Sequence, residues 1–227
     1  MNFHYPKVIW VLSIFLGTFL NAEAQTMKVK LSPPHFKNNL QVLLEKRYSC
    51  RDFRDKALKL EDLSSILWAA GGKKYDATTG ATRTVPSAGA TYPLELYVAV
   101  GQNGVDKLKE GVYHYDIEQH SLELITEGDK RVALCSACLG QDFIKAAPVS
   151  LIIAAQFQRT TGRYGARGEH YVYMEAGHVC QNTYLAVTDL GLGTVEVGAF
   201  FDEKVSSALG LAEDYVPLSV MPIGYPR

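Results

Sequence analysis

Two arginines and a serine alternate in Arg47-Tyr48-Ser49-Cys50-Arg51, directly after an amphipathic segment. If the backbone is extended there, side chains at i, i+2 and i+4 leave the same face, so Arg47, Ser49 and Arg51 converge. That arrangement is an anion clamp. Guanidinium groups give parallel charge-assisted hydrogen bonds to a phosphate, and a serine hydroxyl fills a remaining acceptor. The same residues also fit an exposed basic turn in which Asp52 and Asp55 form weak surface pairs. Cys135-Ser136-Ala137-Cys138 has redox spacing. It lies in a helical-looking stretch, Asp129 to Leu139, without the strand-then-helix context of a thioredoxin-like site, so a structural or incidental pair is expected. With Cys50 and Cys180 the count would permit disulfides in an exported protein. No second Cys or His pair has zinc-ligand spacing, and no metal is expected.

The elements that must position these residues follow from periodicity. Residues 38–46 read as an amphipathic helix with Leu40, Leu43 and Leu44 on one side. Leu60 to Ala70 is a second helix, stopped by Gly71-Gly72. Lys73 to Ser87, rich in Thr, Gly and Lys, reads as a loop. Leu94 to Val100 is a strand, and Val112 to Asp116 with Ser121 to Ile125 a hairpin. Val149 to Phe157 is a buried strand, followed by a loop from Gln158 to Gly168. Glu169 to Leu190 reads as a long central helix buried on several sides. Thr194 to Phe200 is extended, Glu203 to Leu209 a short helix, and Val216 to Ile223 the last strand. Helices and strands mix without a regular βαβ beat, which predicts an α+β fold.

The first residues read as an export signal. Lys7 precedes an apolar run from Val8 to Leu20, and Ala22-Glu23-Ala24 has the small-x-small form of a cleavage site. The expected organisation is a signal peptide over 1–24, an N-terminal segment over 25–37 and one domain over 38–227. The run is too short for a stable membrane span, which needs about 20 apolar residues. An exported protein, periplasmic or extracellular, is therefore expected. The formal net charge is −1 with no basic block, which argues against nucleic-acid binding.

Four segments in order resemble the FMN-dependent nitroreductase family, in the branch of the azoline-forming (SagB-type) dehydrogenases. They are Arg47 to Phe53, Pro86 to Tyr97, Glu175 to Asn182 and Gly191 to Phe200, with Met221 to Pro226 closing the set. The resemblance implies an α+β fold with a central, mostly antiparallel sheet flanked by helices and a long buried central helix. It implies that Arg47, Ser49 and Arg51 hold the FMN phosphate and ribityl chain, with Arg227 as a further basic contact. It implies that Pro86, Ser87, Ala88 and Gly89 reach the flavin from a partner subunit, where small residues permit close approach and Ser87 can donate. Glu196, Val197, Gly198 and Ala199 match a stretch whose backbone lies along the flavin ring, with an amide near N5.

Departures from the family pattern are visible as well. Ala90 stands where many nitroreductases carry an amide side chain. Arg163-Tyr164 matches a Lys-Tyr pair implicated in azoline dehydrogenase catalysis. Arginine stays protonated and is a poor base, which leaves Tyr164 as the candidate catalytic proton donor. His178 and Gln181, on the long helix, read as satisfied core polar residues. The chain closes at Arg227, where many relatives continue with an arm around the partner, so dimerisation is expected to rest on the long helix.

The implied activity is a homodimeric FMN oxidoreductase with flavin at the subunit interface, acting on a small organic substrate by two-electron ping-pong transfer. No Gly-x-Gly-x-x-Gly follows a strand. Because reduced nicotinamides are cytosolic, export implies another, unknown electron donor or acceptor. The alternative is a non-catalytic flavin-binding scaffold, motivated by Arg163 and Ala90. A thiol oxidoreductase using Cys135 and Cys138 ranks last.

Overall fold

The computed structural model describes residues 39–78 and 80–227. The expected signal peptide and the 25–37 segment lie outside the described residues. Helix α1 (Leu40–Lys46) buries none of its side chains, and Leu40, Val42 and Leu44 are exposed. Helix α2 (Leu60–Gly71) buries Leu63, Ile66, Leu67 and Ala70, the set its helical spacing predicts, and ends where Gly72 donates to the Trp68 carbonyl. The stretch read as a loop contains a hairpin, β1 (Lys73–Asp76) and β2 (Gly80–Arg83), paired antiparallel from Lys73↔Arg83 to Asp76↔Gly80. Because β1 is almost wholly exposed, no apolar alternation marked it. Its turn is set by Asp76, which accepts from the Thr78 amide, and by Gly80 at φ 80°.

A short 3-10 turn, Ala88–Ala90, leads into β3 (Leu94–Val100). The hairpin β4 (Gly111–Asp116) and β5 (Ser121–Glu127) follows, then α3 (Arg131–Ala137) and α4 (Phe143–Ala146). Strand β6 (Val149–Ala155) is buried throughout. The expected loop after it is largely helix α5 (Gln158–Tyr164). Its seven residues are too polar and too few to show an apolar stripe. Helix α6 (Arg167–Asp189), β7 (Gly193–Thr194), α7 (Asp202–Leu209) and β8 (Val216–Gly224) complete the chain.

Six strands form one antiparallel sheet in the order β5-β4-β3-β6-β8-β7. Strand alternation divides its side chains between two cores. Leu94, Leu96, Val98 and Val100 of β3, with Leu151 and Ile153 of β6, pack against α2 and α6. Tyr97, Ala99, Ile152 and Ala154 face the opposite way, against α3, α4 and α7. The result is an α+β layer fold with the central helix on one face. That helix is not covered all round: Tyr173, Met174, Gly177, His178 and Gln181 are exposed. His178 and Gln181 are therefore surface residues, not core polar ones. Burial on several sides, as its small residues predict, leaves one side open: a Cβ built on Gly177 would meet nothing within 4 Å. Among the described residues, no helix is long and apolar enough to cross a membrane.

Candidate functional site

The stretch after α1 is extended, as the clamp requires. Arg47 leaves the helix at φ −59°, ψ 128°. Ser49 then forms a parallel bridge with Thr194, and the Cys50 amide donates to the Thr194 carbonyl at 2.8 Å. Cys50 points inward and is buried, while Ser49 and Arg51 are exposed on the other side. Close approach to β7 depends on Gly193, where a Cβ would lie 2.7 Å from Cys50 Cβ and 2.8 Å from its Sγ. The C-terminal segment pairs alongside: Arg54 donates its amide to the Tyr225 carbonyl at 2.8 Å, and Arg227 donates its own to Asp52 at 3.2 Å. Arg227 is thereby placed beside the clamp, with Nε 3.7 Å from Asp52 Oδ1. Among the described residues neither Arg47 nor Arg51 makes an ion pair. Each instead lies near an aromatic ring, Arg47 at 5.2 Å from the Tyr184 centroid and Arg51 at 6.0 Å from that of Phe143.

Tyr184 joins this clamp to the 196–199 stretch. Its hydroxyl accepts from the Glu196 amide at 2.7 Å and lies 3.4 Å from Ser49 Oγ. The Val197 amide is committed to the Val220 carbonyl at 2.9 Å. Gly198 and Ala199 are exposed, and their amides have no partner among the described residues. The donors open to a ligand are thus those two, not Glu196. Beneath them the buried Cys180 thiol donates to Glu196 Oε1 at 3.2 Å. In the sequence alone Tyr184 looks like one more core aromatic of α6.

The Pro86–Gly89 segment belongs to a second group of residues. Gly89, Ala90 and Tyr92 all have positive φ, at 58°, 53° and 46°. Gly89 takes this conformation freely, but at Ala90 and Tyr92 it costs about 1–3 kcal/mol each and persists only where the surroundings over-determine it. Here they do. Arg163 Nη1 donates to the Gly89 carbonyl at 2.9 Å, Arg159 Nη1 to the Tyr92 carbonyl at 3.0 Å, and Thr91 Oγ1 to Ala88 at 3.0 Å. Tyr92 donates its amide to Ser87 Oγ at 2.9 Å. Tyr164 closes over the turn, for a Cβ on Gly89 would run into its hydroxyl. Its ring meets Tyr171 edge-on at 5.2 Å. The structure thus gathers Ser87, Gly89, Arg163 and Tyr164, with Arg163 acting as a strut.

Glu175 of α6 belongs to this second group and was not singled out in the sequence, where a lone glutamate in a helix reads as a solvated position. It is only 5% exposed. Burial pushes its carboxyl up to about 7, against the opposing pull of a Ser87 hydrogen bond and the nearby Arg83 charge.

No hydrogen bond, ion pair or ring contact among the described residues joins the Ser87 group to the Arg47 group. Glu175 and Tyr184 are nine positions apart on α6, which is about 14 Å along the axis at roughly 1.5 Å per residue. The exposed stripe from Tyr173 to Gln181 occupies the turns between them. The cysteines contribute no reactive site by this geometry: all four are buried and unpaired, and burial pushes the Cys138 thiol up to about 12. Among the described residues, no three His, Cys, Asp or Glu side chains are grouped to hold a metal.

The model of the nitroreductase family matches residues 44–225, a range that holds both groups. This chain belongs to the nitroreductase family. A nitroreductase-type protein of Methanocaldococcus jannaschii is 47% identical over 199 residues, covering 88% of this chain and 96% of that one. The crystal structure of a nitroreductase-type protein from Ralstonia eutropha superposes with a TM-score of 0.71 at 31% identity, covering 87% and 88% of the two chains. The trifolitoxin-processing protein TfxB of Rhizobium leguminosarum bv. trifolii is 30% identical over 163 residues. That match covers 68% of this chain but only 43% of TfxB. As a nitroreductase-family member, the chain is a flavin oxidoreductase in its general class.

Proposed function

We propose that this nitroreductase-family protein is an FMN-dependent oxidoreductase acting as a homodimer, with each flavin held between subunits. The observation that carries the reading is the Tyr184 hydroxyl, which ties Ser49 to the Glu196 backbone and fixes an anion clamp beside two unpartnered amides. The residues present fit the cofactor. Arg47, Arg51 and Arg227 offer positive charge that no internal carboxylate fully consumes, and Ser49 adds a hydroxyl. The exposed Gly198 and Ala199 amides are preorganised donors for negative charge. When bound, FMN supplies two-electron ping-pong transfer with a small organic substrate.

Two observations support the dimer: the site residues fall into two groups that no hydrogen bond, ion pair or ring contact joins among the described residues, and α6 leaves the stripe from Tyr173 to Gln181 uncovered. In a dimer, the Pro86, Ser87, Ala88 and Gly89 backbone of one copy faces the clamp of the other. Tyr164, lodged on Gly89, then serves as proton donor, while Arg163 holds the turn. The leader-like segment supports action outside the cytoplasm, with an electron partner other than NAD(P)H.

The test is the absorbance spectrum of purified protein, followed by release and identification of the flavin. Yellow protein that yields FMN, with a dimeric mass by light scattering, is expected. Colourless protein that takes up no added FMN would overturn the reading.

A further inference from the structure

Ser64 of α2 and His120, in the turn between β4 and β5, meet across the fold with 2.8 Å between Oγ and Nε2. The other ring nitrogen of His120, Nδ1, lies 2.6 Å from the Tyr115 hydroxyl. The turn that carries His120 is fixed: Asp116 Oδ1 accepts from the Glu118 and Gln119 amides, and His120 sits at φ 49°. The Tyr115 ring meets the imidazole edge-on at 5.6 Å. These three residues belong to neither group of the candidate flavin site.

The partners assign the protons along this chain. Tyr115 is 1% exposed, and its hydroxyl has no other partner among the described residues. A phenol keeps its hydrogen below about pH 10. If Tyr115 only accepted from His120, that hydrogen would be buried unpaired, which is costly. Tyr115 therefore donates to Nδ1. A neutral imidazole then carries its single hydrogen on the other nitrogen, so Nε2 donates to Ser64 Oγ. The Ser64 hydrogen is left over, with no acceptor among the described residues. Each bond in such a chain polarises the next, which strengthens the donor at its end.

Ser64 borders a cavity of about 280 Å³ between α2 and the β4–β5 hairpin, walled by Leu60, Leu67, Leu108 and Leu122. Ligand pockets begin at roughly that size, about 300 Å³. No Lys, Arg, Asp or Glu lines it, so it offers nothing to offset the desolvation of a charged ligand. We propose that this cavity binds a small uncharged carbonyl compound, its apolar body against the leucines and its carbonyl oxygen accepting from Ser64 at the end of the Tyr115–His120–Ser64 relay. The step is binding alone, with no bond formed or broken. It does not rest on the FMN reading.

The experiment uses the full chain with nitrogen-15-labelled histidine at about pH 8.5, roughly two units above the ordinary histidine pKa. The His120 ring resonances are those lost in His120→Gln. In the free protein they should report hydrogen on Nε2, and hydrogen on Nδ1 instead would overturn the relay. The probes are acetophenone, ethylbenzene, which keeps the shape without the acceptor, and benzoate, with affinities read from the His120 shifts. Acetophenone should bind about fivefold tighter than ethylbenzene, the worth of one neutral hydrogen bond, and tighter than benzoate. Ser64→Ala places a better helix former in α2 and should fold, with acetophenone reduced to the ethylbenzene level. No His120 response to acetophenone, equal binding of ethylbenzene, tighter binding of benzoate, or an unchanged preference in Ser64→Ala would each overturn the proposal. The readout is local to His120, so its failure leaves the flavin reading standing.

Discussion

The Glu196 amide donates to the Tyr184 hydroxyl at 2.7 Å, so one side chain of the central helix holds the backbone that faces the clamp. Tyr184 is only 8% exposed, and removing its oxygen strands the amide and frees Ser49. Tyr184→Phe should cost about 0.5–1.5 kcal/mol in urea unfolding, the net worth of one part-buried hydrogen bond. It should also weaken FMN retention, although no charge has changed.

Arg47 and Arg51 carry no internal ion pair among the described residues, so their removal leaves no orphaned carboxylate. Arg47→Ala with Arg51→Ala should therefore fold with near-normal stability and purify colourless. Each lost charge-assisted contact is worth about 1.5–3 kcal/mol, which compounds to a loss of roughly 100-fold or more in FMN affinity. Full flavin content in the double variant would show that the phosphate is held elsewhere.

Gly193 separates charge from geometry at the clamp. A Cβ there meets Cys50 and lies 3.1 Å from Pro226, so Gly193→Ala must push the 47–51 strand and the C-terminal segment outward. Flavin affinity should fall although every arginine is present. Thermal stability should drop as well, by about 1–3 kcal/mol for overpacking. Unaltered FMN binding in this variant would mean that the strand is free to relax.

Glu95 accepts from Arg159 at 2.6 Å and from His114 at 3.0 Å, and this cluster supports the Tyr92 turn through Arg159. Burial opposes the Glu95 charge, but the His114 and Arg159 hydrogen bonds outweigh it and hold the carboxyl below its usual range. That contribution is present above the ordinary carboxylate pKa and is lost as pH falls through the depressed one. The hydrogen bond to Glu95 raises His114 above 6.5, against some cost of burial. Its contribution is complete below 6.5 and is lost as pH rises through the raised value. His114→Gln should abolish the basic-side loss, on the order of 1 kcal/mol, and leave a smaller acid-side one, carried by Arg159. Denaturation midpoints across pH measure both limbs.

The layers of this fold were legible because apolar periodicity marks burial. Leu94 to Val100 and Leu63, Ile66, Leu67 and Ala70 declare their faces through spacing alone. The β1–β2 hairpin and α5 were missed for the opposite reason: exposed ribbons and short polar helices bury too little to leave a pattern. In the site, the alternation of Arg47, Ser49 and Arg51 was readable because charge and spacing coincide. Tyr184 and Glu175 were not. Their roles come from partners far away in sequence, Ser49 for one and Ser87 for the other. Local context shows only an aromatic and an acid on a helix. The amides open to a ligand were also invisible, since Tyr184 and Val220 decide which of them are already taken.

The division of the site residues into two groups, joined by no hydrogen bond, ion pair or ring contact among the described residues, has a consequence for mixed assemblies. In the proposed dimer, a subunit lacking Arg47 and Arg51 still lends its Ser87 turn, and a subunit crippled at that turn still lends its clamp. Co-expressed, two chains that are each barren alone would rebuild one whole site of the two. Rescue by mixing thus becomes a signature of sharing, and equal defects in every combination would mark sites that each chain builds unaided.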